Sequence, residues 1–118
     1  MPYINSTSFR KITIDDIEYI QVLIIGEKVL EREYQKLKDT FGTSHRIGSW
    51  EIEELLKGNP EMIIFGIGQD GMMEVLEKDL EAFKGIEVLI NLTPEAIELY
   101  NTHVKNGKRV NALIHTTC

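Results

Sequence analysis

Met62-Ile63-Ile64-Phe65, followed at once by Gly66-Ile67-Gly68-Gln69-Asp70-Gly71, is the stretch on which the architecture turns. Its first four residues are apolar without alternation, the pattern of a strand buried on both faces as in the interior of a parallel sheet. The next six match G-x-G-x-x-G, the spacing of a tight strand-to-helix turn. Downstream, Val75, Leu76, Leu80 and Phe83 recur at helical intervals up to Gly85, and Ile86 to Asn91 is a second buried-strand pattern. Strand, helical crossover and strand predict a βαβ unit.

Outward from this unit the elements follow from periodicity and punctuation. Residues 9 to 14 and 17 to 25 are rich in Ile and Val and flank Asp15-Asp16, which predicts a β-hairpin. From 27 to 41, Leu30, Tyr34, Leu37 and Phe41 share a helical face while the flanking glycines also permit an extended arm, so this segment stays open between the two. A polar loop spans Gly42 to Gly48. Ser49 is placed to cap a short helix over 50 to 57, stopped by Gly58-Asn59-Pro60. Thr93 as N-cap, Pro94 at the first position and the stripe Ala96, Ile97, Tyr100 and Val104 mark another helix, and Arg109 to His115 is a last strand. With no repeat or linker, residues 1 to 118 read as a single α/β domain.

The chain has 118 residues, 42% hydrophobic and 27% charged, the profile of a globular protein that buries a core without staples. Its formal net charge of −6 repels polyanions, and its 13 Lys and Arg are scattered among 19 acids, which argues against nucleic acid. No apolar run reaches the roughly 20 residues a membrane helix needs. The opening MPYINSTSFRK has no targeting pattern, and the lone Cys118 fits a reducing compartment, so the expectation is a cytoplasmic protein without a membrane partner.

Thr93-x-x-Ala96, Tyr100-Asn101, Gly107-Lys108-Arg109-Val110 and His115-Thr116-Thr117-Cys118 resemble the Mth-domain family, as do Gly42-Thr43-x-His45-x-x-Gly48 and the Gly66-x-Gly68 turn. Remoter members of that family include an assembly factor of mitochondrial complex I. The resemblance implies a three-layer α/β fold around a mixed central sheet, with the last strand antiparallel to the others and an extra β element on one face. It implies no reaction and therefore no catalytic residues. The segment 27 to 41 is longer and more helix-like than the extended arm the family leads one to expect.

The candidate chemistry is thin. A dinucleotide fingerprint wants an acidic residue at the end of the next strand, and this one ends in Asn91; Asp70 and Glu74 would repel a pyrophosphate at the helix start. The glycines therefore read first as a tight turn and second as the edge of a small-ligand crevice. His45 beside Thr43 and Ser44 sets hydroxyls near an imidazole, without a visible third partner. His115 and Cys118 are too few for a structural zinc, and His103 and the carboxylates Glu51, Glu53, Glu54 and Glu74 to Glu81 read as solvated. Tyr34 and Trp50 are the aromatics that would anchor a partner if exposed together. The expectation is a non-enzymatic interaction or assembly module with no cofactor and no metal, leaving a protein partner or self-association open. The alternative is a small-molecule site, with candidate ligand residues Thr43, His45, Gly66, Gly68, Gly71 and Asn91.

Overall fold

The chain begins with a three-stranded antiparallel sheet in the computed structural model, which describes residues 1–118. Strands β1 (Ile4–Ser8), β2 (Lys11–Ile14) and β3 (Ile17–Tyr19) lie in that order. Asp15 and Asp16 join β2 to β3 with φ of 48° and 67°, the left-handed pair that matches the twist of a two-residue hairpin. The predicted second arm over 17 to 25 divides at Ile20-Gln21, because β3 pairs with β2 whereas β4 (Val22–Ile25) pairs with the other sheet.

That other sheet has five strands in the order β5-β4-β8-β6-β7, where β5 is Lys28–Glu31, β6 is Met62–Ile67, β7 is Glu87–Asn91 and β8 is Val110–His115. The last strand is central. It runs antiparallel to β4 but parallel to β6, so the expectation of a last strand antiparallel to the others holds on one side only. The strand that opposes its neighbours on both sides is β4, which enters from the hairpin end. Strand β6 is buried as its unbroken apolar run demands, while β7 is an edge strand with Glu87 and Ile90 exposed, not the doubly buried strand its apolar content suggests.

Alternation along these strands sorts the core into two layers. Val22, Ile24, Met62, Ile64, Val110, Ala112 and Ile114 face Ala96, Ile97 and Tyr100 of helix α4 (Thr93–Lys105), and Ile4, Ile12 and Ile14 of the small sheet. Leu23, Ile25, Ile63, Phe65 and Leu113 face the opposite side, against Ile47, Leu55, Met73 and Phe83. Two polar residues tie the layers. Asn101 of α4 donates to the Ile4 carbonyl and accepts the Ile4 N–H, at 2.8 and 3.0 Å. Asn111 of β8, buried, donates to the carbonyls of Leu55 and Lys57, each at 2.8 Å, and accepts from Gly26 N at 2.9 Å. It thereby supplies a hydrogen-bond donor to two carbonyls at a helix end.

The helices refine the sequence reading. The open segment 27 to 41 contains both forms, strand β5 and then α1 (Tyr34–Phe41). Helix α2 (Ser49–Leu55) takes Gly48, not Ser49, as its N-cap. Helix α3 (Glu77–Glu81) is a single short stretch whose start is held by Asp79 accepting from Leu76 N. Thr93 is the first residue of α4 and Leu92 precedes it as the cap, without a side-chain cap bond. The Thr93 hydroxyl is used elsewhere: it accepts from Gly68 N at 2.9 Å and donates to the His115 carbonyl. Buried between the ends of β6 and β8, that hydroxyl meets main-chain groups that water cannot reach. No helix is long and apolar enough to cross a membrane.

Candidate functional site

Arg32, just past β5, is the lowest layer of the site. Its side chain and that of Glu51 are each 1% exposed, and the two meet in a two-pronged ion pair: Nε to Oε2 at 2.7 Å and Nη2 to Oε1 at 2.9 Å. The remaining guanidinium N–H groups donate to the Arg46 carbonyl at 2.9 Å, the Gln21 Oε1 at 3.1 Å and the Ser44 carbonyl at 3.3 Å. Glu51 also accepts from Gly48 N at 3.0 Å, three residues back, which fastens the start of α2. A buried charge pair is tolerable only with this degree of satisfaction.

His115, the last residue of β8, stands beside Arg32 and is fully buried. Its Nδ1 lies 2.7 Å from Gln21 Oε1, which only accepts, so the proton sits on Nδ1. Nε2 then accepts from the Thr117 hydroxyl at 2.8 Å. Burial first, then the Arg32 guanidinium, then the neighbouring His45 ring hold the His115 pKa down to about 3. The ring is thus neutral at any ordinary pH. His45 packs edge-on against it, with ring centroids 5.1 Å apart.

Above this floor lies a crevice of about 500 Å³. One wall is the 42–45 loop, with Thr43, Ser44 and His45. Arg10, Ile20, Gln21 and Thr117 line the crevice as well, as do Glu31, Tyr34, Leu37 and Lys38. The loop is shaped by its own polar groups: His45 N donates to Thr43 Oγ1 at 3.1 Å, and the His45 carbonyl accepts from Glu74 N at 2.9 Å. Tyr34 is exposed at the crevice rim, whereas Trp50 lies apart, stacked on Phe41 with Lys36 4.4 Å above its ring.

Of the six candidate ligand residues, Thr43 and His45 line the crevice and Gly66, Gly68, Gly71 and Asn91 do not. The glycine turn is filled from within the chain. Gln69 N donates to the Thr117 carbonyl at 2.8 Å, and Asp70 N and Met72 N donate to the Cys118 main-chain oxygen at 3.1 and 2.8 Å. Gly68 has a φ of 109°, and a Cβ there would come within 2.5 Å of the Cys118 backbone. Close approach of two chain segments, not of a phosphate, is what these glycines permit. Asn91 pairs with Glu95 on the far side of β6, at 3.5 Å.

Arg10, Gln21 and Arg32 complete the site without having been singled out by the sequence, and Thr117 and Glu51 join it from a family-like motif and an acidic run to which no site role attaches. Arg32 lies in the segment 27 to 41 that stays open between helix and extended arm, and Glu51 in an acidic run that reads as solvated, whereas the structure buries it. The one available signal is the Gly48-to-Glu51 spacing, which places a glutamate where a helix N-terminus can use it.

Two outcomes are expected. Glu51→Gln keeps the shape but strands the Arg32 charge, and should lower unfolding free energy by about 3–5 kcal/mol; a change under about 1 kcal/mol in urea titration would refute the role given to the pair. For His115, the unfolded imidazole takes a proton below about 6.5 and the folded one only below about 3. Stability is therefore full above about pH 6.5 and falls as pH drops from there, by at most about 1.4 kcal/mol per pH unit. His115→Gln should flatten that slope between pH 6.5 and 5, and an unchanged slope would contradict it.

Comparison with known proteins agrees with this architecture. The model of a family described as a protein of unknown function (DUF498/DUF598) matches residues 4–115. The conserved hypothetical protein PH1505 from Pyrococcus horikoshii is 28% identical, with a TM-score of 0.86 over 98% of each chain. A solved structure titled MT938 is 32% identical, with a TM-score of 0.79 over the whole of both chains. A Bordetella pertussis protein described as a Mth938-like domain shares the fold at 16% identity, with a TM-score of 0.59 over 97% of this chain and 85% of its own. These relatives agree with the Mth-domain resemblance read from the motifs. The chain belongs to the DUF498/DUF598 family of proteins of unknown function.

Proposed function

We propose that this protein is a non-enzymatic binding module of the cytoplasm, and that it holds a small molecule in the crevice between the 42–45 loop and Thr117. The observation that carries this reading is the contrast between a locked floor and an uncommitted wall. Arg32, Glu51, Gln21 and His115 satisfy one another below, whereas Arg10, Lys38 and the ring of His45 at the surface make no ion pair. Concave polar groups without an ion-pair partner over a rigid base suit recognition. Catalysis is the weaker reading because the Thr117 hydroxyl is paired with a His115 ring held too weakly basic to take up its proton, and the Thr43 hydroxyl meets the main-chain N–H of His45 and not its ring. The lone Cys118 supports a reducing compartment.

A thermal-shift screen of metabolites tests it. A ligand present at 100 times its dissociation constant should add about 2.7 kcal/mol of stability. His45→Ala should reduce the response, and a ligand whose shift His45→Ala leaves intact would place binding elsewhere.

A second reading, an interaction or assembly module, is favoured by a different surface. Ile90 of edge strand β7 and Leu92 just beyond it are exposed, and the side chain of Leu92 lies against Gly71, next to exposed Met72. An open strand edge beside apolar side chains invites pairing. Sedimentation of the purified chain should then show self-association that Ile90→Glu abolishes; a monomer at all concentrations removes the support for this surface.

A further inference from the structure

We infer that the crevice takes a small monocarboxylic acid with an aliphatic or aromatic body, its carboxylate held between Arg10 and Lys38; this rests on the crevice being a ligand site. The chain carries a net charge of −6, yet Arg10 and Lys38, two cations of the crevice lining, have no carboxylate partner within the protein. Arg32 beneath them is already neutralised by Glu51, so its charge is not available to a ligand. Glu31 is the one exposed acid on the wall. Two cations against one carboxylate leave a single positive charge, which suits a monoanion and penalises a phosphate dianion.

The remaining lining divides the space by polarity. Thr43 and Thr117 offer hydroxyls, whereas Ile20 and the exposed ring of Tyr34 offer an apolar surface for a hydrocarbon body. Lys38 extends alongside Tyr34, its Nζ 3.5 Å from the phenol oxygen and 5.7 Å from the ring centre, so the charged and apolar parts adjoin. Arg10 starts from a left-handed backbone position, φ 64°, fixed by its N–H donating to the Thr116 carbonyl at 3.1 Å. A volume of about 500 Å³ accommodates an acid of metabolite size.

The test is an amide-resolved NMR titration of the full chain with 4-phenylbutyrate and hexanoate, their neutral primary amides, and inorganic phosphate. The acids should shift the amides of Thr43, Ser44, His45 and Thr117, and the neutral amides should bind at least about tenfold more weakly. Arg10→Asn, which tolerates the left-handed position, and Lys38→Met should each weaken the acids about tenfold without moving the thermal midpoint. If the neutral amides bind as tightly as the acids, if both variants leave affinity unchanged, or if phosphate binds more tightly than the acids, the ligand class is wrong while the crevice stands. If no probe moves the crevice amides, both this proposal and the crevice reading fall.

Discussion

The Arg32–Glu51 pair is the constraint around which the site is built. Two charges removed from water are tolerated only if each remaining donor and acceptor is met. Meeting them recruits four separate parts of the chain: the end of β5, Gln21 before β4, the carbonyls of Ser44 and Arg46, and the start of α2 at Gly48. The loop 42–48 has no regular structure of its own and is shaped largely by this demand. An apolar replacement would hold the layers together as well, but it would not specify where the carbonyls of Ser44 and Arg46 point.

His115 extends the same logic to proton chemistry. An imidazole beside a guanidinium, out of water, with its Nδ1–H given to Gln21, has every reason to stay neutral. It serves as a fixed acceptor that orients Thr117. The Thr117 hydroxyl is thereby a positioned hydrogen-bonding group in the crevice lining.

How much of this was legible in the sequence depended on whether a residue's role was local. Strand β6 announces itself by an unbroken apolar run, α4 by its stripe, and the Asp15-Asp16 turn by residues that tolerate positive φ. Thr93 carries a capping signal, yet its hydroxyl is taken by two strands that arrive from 25 residues before and 22 after. Arg32 and Glu51 sit among like residues that are solvated; the Gly48-to-Glu51 spacing points to the buried glutamate, but nothing within its own segment separates Arg32. Thr43 and His45 were visible because loop polarity is local, and Arg10 and Thr117 were not because they reach the crevice only through pairing across the fold. The glycine turn matched a motif whose spacing any close approach of backbone can require.

The position of β8 has a consequence for how the chain matures. Strands β4 and β5 pair with each other, as do β6 and β7, and the two pairs are hydrogen-bonded into one sheet only through residues 110–115. During synthesis both pairs must wait with an open inner edge, Val22 to Ile24 on one and Met62 to Ile67 on the other, until the keystone strand emerges and zips them together. Those two apolar edges are where a nascent chain is most exposed to mispairing and to chaperone capture. Closure of the sheet and completion of the crevice floor are then one event, since the same strand delivers His115.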